Sequence, residues 1–202
     1  MKIEERFGLI KSSLIEYPGH LCACIFTTGC NLRCPYCHNP ELARGKNPND
    51  FVEWPEIVKH LKRRSGVLEG VSISGGEPTL YPHIEELVEE IRALGYLIKI
   101  DTNGTRPDVL RRLEPDFVGL DVKTSKPKYR FLLGRTDDSS GDPGSTETKR
   151  EQAERLGEAV DCTIDWLVTE SIEHEIRTTV VPGLVTIDDI EEISRRIEGC
   201  TT

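Results

Sequence analysis

No stretch of the 202 residues strings together the roughly 18 apolar positions that a membrane-spanning helix requires. The N-terminal run MKIEERFGLIKSS has neither the apolar core nor the small-residue cleavage site of a secretory signal. The expectation is a cytoplasmic chain with no membrane contact. Basic charge is in deficit: 26 Lys and Arg face 35 Asp and Glu, for a net charge of −9 and a pI near 5.2. An acidic surface excludes nonspecific nucleic-acid binding, which needs a basic face. An even cysteine count is also missing. Seven cysteines leave one over from any disulfide framework, and nothing else looks secreted. Three of the seven fall between Cys30 and Cys37, and clustering of that kind points to metal rather than to bridges. The remainder is ordinary for a globular protein, with 37% hydrophobic and 30% charged residues. The length suits one domain with a real core, spanning residues 1–202.

The apolar pattern alternates between two periods. Residues 1–20 form an N-terminal arm, in which Gly8–Glu16 reads as a lead-in strand before the turn Tyr17-Pro18-Gly19. Leu21–Thr28 reads as a buried strand. Residues 29–53 form a long loop with Pro35, Pro40, Gly45 and Pro48; loops beyond about 12–15 residues are usually functional or disordered, and this one carries the cysteines. Strands are then expected at Val71–Ser74, Tyr96–Asp101, Phe117–Asp121 and His174–Val181. Helices are expected around Trp54–Leu61, Ile84–Ile91, Pro107–Leu113 and Ala153–Leu167, with a last one capped by Thr186. Residues 135–149 are rich in Gly, Ser and Asp, cannot bury apolar area, and read as an exposed insertion. Strands alternating with helices at this pitch imply βαβ units and a mostly parallel sheet. Five such units fall short of the eight in a closed barrel, so the fold class is α/β, an open, partial βα-barrel. A sixth strand, if the fold needs one, has to come from the N-terminal arm.

The chemistry-bearing residues sit at the ends of these strands. Cys30, Cys34 and Cys37 form C-x3-C-x2-C on one tight loop. Three thiolates can reach three irons of a cubane and leave the fourth without a protein ligand, where a small chelating molecule can bind. Structural zinc wants four closed ligands. His38 would have to serve as the fourth, although adjacent residues rarely point at one ion. Zinc, and three unrelated buried thiols, stand as the alternatives. Ser74-Gly75-Gly76-Glu77-Pro78 ends the second strand, and its glycines let a ligand approach the backbone. Asp101-Thr102-Asn103-Gly104 ends the third, Asp121-Val122-Lys123 the fourth, and Arg177 lies in the fifth. Each alone reads equally as a solvated strand end. Together they gather polar groups at one edge of one sheet, as a ligand site requires.

The cysteine spacing, with Tyr36 before the third Cys, resembles the signature of the radical S-adenosylmethionine (SAM) superfamily. The resemblance implies a radical SAM core with a [4Fe-4S] cluster on Cys30, Cys34 and Cys37. It also implies SAM on the open iron, with Gly75, Gly76 and Glu77 at its methionine end. The Asp101–Gly104 and Asp121–Lys123 segments are similar to elements that line the SAM site of glycyl-radical-enzyme activases. By that analogy Asn103 lines the SAM site, and Asp101 and Asp121 face ribose hydroxyls, a cation or a small metal ion. Lys123 or Arg177 offsets the methionine carboxylate, and Tyr36 packs on adenine or simply within its loop. Ser13–Gly19, Ile25–Pro40, Gly75–Leu80 and Arg177–Val180 are similar to the activating proteins of anaerobic ribonucleoside-triphosphate reductase. That implies the reductase as protein substrate and a one-electron donor such as a flavodoxin or ferredoxin. Another glycyl radical enzyme, a small-molecule substrate, or a non-catalytic iron–sulfur or zinc module are the alternatives. Cys22 and Cys24 share one strand face and read as core thiols, with a second cluster as the alternative. Cys162 and Cys200 read as inert. Trp54 and Trp166 read as helix packing, and Lys62-Arg63-Arg64 as a solvated helix end.

Overall fold

Arg6–Ser13 (β1) runs antiparallel to Cys22–Thr27 (β2), and the two-residue strand Val52–Glu53 (β3) pairs with the start of β1. Gly70–Gly75 (β4), Leu97–Thr102 (β5), Phe117–Asp121 (β6) and Glu173–Arg177 (β7) then add to β2 in parallel. The sheet order is β3-β1-β2-β4-β5-β6-β7, so the sheet is open, with β3 and β7 at its ends. The computed structural model describes residues 6–46, 50–134 and 148–198. The N-terminal arm therefore supplies the extra strand, in antiparallel sense.

The helices are Pro40–Ala43 (α1), Trp54–Arg64 (α2), Ile84–Ala93 (α3), Pro107–Leu113 (α4), Lys149–Glu170 (α5) and Ile187–Ile197 (α6). Ile84, Leu87, Val88 and Ile91 of α3 follow the i, i+3, i+4, i+7 pattern and are all buried. Each such side chain contributes about 1.5–3 kcal/mol relative to exposure. Thr148 and Glu151 form a capping box at the start of α5, and Ser171 in the left-handed region (φ +54°) ends it.

Successive strand side chains point to opposite faces, and here the two faces differ in kind. Ala23, Ile25, Val71, Ile73, Ile98, Ile100, Val118 and Leu120 join Ile57, Leu87, Leu110, Leu156 and Ile164 of the helices in one core. On the opposite face the register aligns Cys24, Ser72 and Lys99 in one row, and Asp101, Gly119 and Glu175 in the next. A helix-covered apolar face backed by a polar concave one is the arrangement of an open barrel. It directs the polar residues toward the space the sheet encloses.

Three expectations need correction. The 29–53 loop is not irregular throughout, because it contains α1 and β3. Tyr96 lies outside β5, and its buried hydroxyl donates to the Leu61 carbonyl at 2.7 Å. β7 stops at Arg177 rather than Val181, because β6, its only neighbour among the described residues, ends at Asp121 and leaves no ladder to pair. The 135–149 insertion lies outside the described residues as far as 147, and its last two residues are the cap and first residue of α5. Cys200 also lies outside them. Cys22 and Cys24 are fully buried; burial pushes the Cys22 thiol up to about 11 and raises that of Cys24 as well. Both behave as core residues.

Candidate functional site

A cavity of about 260 Å³ opens at the C-terminal ends of the parallel strands. Crevices in that position are where open α/β sheets bind ligands. The loop after β2 contributes Cys30, Cys34, Tyr36 and Cys37, and β4 with the turn after it contributes Ser74, Gly75 and Gly76. Asp101, Thr102 and Asn103 come from the end of β5 and the residue after it, and Asp121 and Lys123 from the end of β6 and just beyond.

The cysteine loop is held from several directions. The Arg33 amide donates to Leu132 O at 2.6 Å, and the Arg33 guanidinium folds back onto the Cys30 carbonyl. The Tyr36 hydroxyl donates to Lys123 O at 3.3 Å, which ties the ring to the end of β6. Asn31 bonds Thr105 at 2.8 Å and accepts from Asn103 at 3.0 Å. Cys30 Sγ receives the Leu32 amide at 3.4 Å and Asn103 Nδ2 at 3.8 Å, two donors of the kind that stabilise a thiolate. Burial dominates at these thiols; it pushes Cys30 up to about 11 and raises Cys34 too. A metal binding these sulfurs must displace their protons.

The turn after β4 is stitched to the same loop. Gly76 donates to Thr27 O at 3.0 Å and Glu77 to Gly29 O at 2.8 Å. Gly75 has φ +117°, and a Cβ on Gly76 would meet Gly29 O at 2.0 Å, so close backbone approach demands both glycines. Glu77 departs from the expected ligand contact. It is fully buried outside the cavity wall. Its carboxylate accepts from the Thr79 amide at 3.1 Å and the Thr79 hydroxyl at 2.6 Å, and from the Thr102 hydroxyl and Asn103 amide, each at 2.7 Å. Burial pushes its pKa up, and these donors oppose that shift. Glu77 is a strut between the ends of β4 and β5.

Arg177 also departs from expectation. Its guanidinium donates to Asp101 at 2.8 Å, Asp121 at 3.0 Å and Glu175 at 2.9 Å, so it is committed to protein carboxylates. Burial alone would lower its pKa; Asp121, Asp101 and Glu175 outweigh that and raise it. Lys99, fully buried in the middle of β5, sits 2.7 Å from Asp101 and 3.5 Å from Glu175. Lys123 lies 3.2 Å from Asp121. Three cations thus balance three carboxylates, and removing one member of the buried Lys99–Asp101 pair would cost about 3–5 kcal/mol. Gly119 makes the crossing possible: a Cβ there would meet Asp101 Oδ1 at 2.1 Å and Arg177 at 3.1 Å. Sequence reasoning missed Lys99 and Glu175. The signals were present: a lysine inside the apolar run YLIKID, two residues before an aspartate, and a glycine inside the strand FVGLD.

The donor set fits a cubane. The three cysteines line one cavity. A cubane needs each thiolate to reach a separate iron around a shared space. Residues 24–197 match the model of the radical SAM superfamily. A Methanocaldococcus jannaschii protein assigned as a glycyl-radical enzyme activating enzyme is 32% identical over 198 residues, covering 96% of this chain and 75% of its own. The pyruvate formate-lyase-activating enzyme of Staphylococcus epidermidis is 40% identical over 85 residues, covering 40% of this chain and 34% of its own. The structure of TYW1 with a lysine-pyruvate adduct has a TM-score of 0.56 at 22% identity, covering 89% of this chain and 61% of that one, and it speaks for the fold alone. The chain belongs to the radical SAM superfamily, among relatives of the glycyl-radical-enzyme activating type, and the cofactors of that superfamily are a [4Fe-4S] cluster and SAM.

Proposed function

We propose that the protein activates a glycyl radical enzyme, and that its partner is the anaerobic ribonucleoside-triphosphate reductase. The observation that carries the reading is the shared cavity. Three loop thiols, a bare Gly-Gly turn and a charge-balanced strand edge meet in one space. In this reading Cys30, Cys34 and Cys37 hold three irons, and the fourth is left to SAM. A reduced cluster held there would supply the one electron that cleaves the SAM sulfonium, so that with a hydrogen atom taken from a glycine Cα of the partner the products would be methionine, 5′-deoxyadenosine and a glycyl radical.

The chain's own residues bind and orient. The amides of Gly76 and Glu77 are engaged by Thr27 and Gly29, so the Gly-Gly turn offers carbonyl oxygens, the polarity a methionine ammonium needs. Lys123 has only Asp121 as an ion-pair partner among the described residues and lines the cavity, which suits it to the methionine carboxylate. Asn103 reaches both the Cys30 sulfur and Asn31, so it couples the end of β5 to the cluster loop. Asp121, paired with Arg177 and Lys123 but partly exposed at the cavity, can still accept from ribose hydroxyls, whereas Asp101 is buried among Lys99, Arg177 and Ser72. Tyr36, tied to Lys123 O, presents its ring to the cavity where adenine would lie. A reduced flavodoxin or ferredoxin is the proposed electron source, and the cytoplasm the proposed location. Among the described residues no helix is long and apolar enough to cross a membrane.

The test is anaerobic incubation with the reductase, SAM and reductant, followed by EPR. A glycyl doublet on the reductase, absent with the Cys34→Ala variant, is expected. Formation of 5′-deoxyadenosine with no reductase radical would reject the partner assignment.

A further inference from the structure

Charge on this acidic chain is unevenly placed. The chain carries 35 acidic and 26 basic residues, but the cysteine loop from Cys30 to Lys46 and the segment Val122–Gly134 reverse the balance. Together they hold seven basic side chains, Arg33, Arg44, Lys46, Lys123, Lys126, Lys128 and Arg130, against the single acid Glu41. The two segments form one surface. The Arg33 amide bonds Leu132 O at 2.6 Å, and the Tyr36 hydroxyl bonds Lys123 O at 3.3 Å. Several of these cations are already balanced: Lys123 by Asp121, Lys128 by Asp189, and Lys126 by Glu158 and Asp161. Arg44 and Lys46 share one carboxylate, Glu41. Arg33 and Arg130 have no carboxylate partner among the described residues. Arg130 is exposed and stacks over the ring of Phe131, 4.7 Å from its centroid, and Phe131 is itself half exposed. An exposed aromatic covered by a cation with no carboxylate partner is an anchor of the kind protein interfaces use.

We infer that this basic collar around the cysteine loop is the docking surface for an acidic one-electron carrier protein. The inference rests on the radical SAM reading of the site. Its chemistry is simple: one electron leaves the reduced carrier and enters the cluster, and no bond forms or breaks in the docked complex. Position favours the carrier, because the collar lies on the cysteine loop that would hold the cluster and on the segment bonded to it, so a protein docked there sits beside the electron acceptor. Charge favours it too, because a basic patch on a chain of net charge −9 steers an acidic partner to one place.

The test compares two reductants on the reconstituted enzyme, with 5′-deoxyadenosine as readout and no glycyl radical enzyme present. The variants are Arg130→Glu and the double variant Arg130→Glu/Lys46→Glu, neither of which touches the cavity wall. With dithionite, both variants should match the parent. With a reduced flavodoxin, the double variant should lose on the order of tenfold in kcat/KM for the carrier at low salt, and the dependence on ionic strength should flatten. Unchanged kinetics with flavodoxin would overturn the inference. A second arm adds the reductase with dithionite as reductant and reads the glycyl radical by EPR; a loss confined to that arm would also overturn the inference and assign the collar to the protein substrate. Failure of the parent to cleave SAM with dithionite would reject the underlying function, a separate outcome.

Discussion

Replacing Glu77 with Gln separates a strut from a ligand contact. In the parent, one carboxylate oxygen accepts three hydrogen bonds and the other accepts the Asn103 amide at 2.7 Å, all with the side chain fully buried. Glutamine can place its oxygen at the three-donor position, but its NH2 group then faces the Asn103 N–H. Two donors confront each other, and an unsatisfied buried donor costs about 1–3 kcal/mol. The remaining bonds fall from charge-assisted to neutral strength. Relief of the buried charge offsets part of this, leaving a loss of about 2 kcal/mol. For a chain of this size that corresponds to roughly 4–8 °C in Tm. Thermal unfolding of the metal-free protein measures it directly. A double-mutant cycle with Thr79→Ala should be less than additive, because both changes strike the same bonds. SAM affinity of the reconstituted variant should change only a few-fold. An unchanged Tm with SAM binding abolished would refute the reasoning and return Glu77 to the cavity as a ligand contact.

Gly76→Ala should be severe, because the new Cβ meets backbone, Gly29 O at 2.0 Å, rather than a movable side chain. A loss of about 1–3 kcal/mol and a fall in iron bound per chain after reconstitution are expected, read by unfolding and metal analysis. Asp189 gives an acid-stability prediction. Burial alone would push its pKa up, but bonds from Lys128, Ser125 and Thr186 hold it well below the usual carboxylate range. A depressed folded pKa stabilises above the unfolded value near 3.9, and that contribution disappears as pH falls below it. Asp189→Asn should therefore lower stability at pH 7 by about 1–3 kcal/mol and narrow its gap to the parent below about pH 4. A gap that stays constant across that range would contradict the assignment.

Much of the fold was legible because its elements repeat a strong pattern. Pro107–Leu113 and Phe117–Asp121 coincide with the expected helix and strand, each bounded by proline or charge. The α1 and β3 elements were not legible, since four and two residues are too few to show a period. The excess length expected of β7 came from the β-branched run Thr178–Val181, whose propensity is idle without a neighbouring strand. In the site, the cysteines and the strand-end motifs were placed around one cavity, as their positions after β-strands imply. The roles of Glu77 and Arg177 were not readable, because each is set by partners far away in sequence: Thr102 and Asn103 for one, Asp101 and Asp121 for the other. A motif names a residue, but long-range hydrogen bonds decide which way it faces.

The central claim is that Cys30, Cys34 and Cys37 hold a cluster whose fourth iron has no protein ligand and takes SAM. The most direct measurement titrates SAM into oxygen-free, reconstituted and reduced protein while the cluster's EPR spectrum is recorded. The account predicts about four irons per chain, a spectrum that shifts and saturates with one equivalent of SAM, and release of 5′-deoxyadenosine. A spectrum indifferent to SAM, or one zinc per chain in place of the irons, would contradict it.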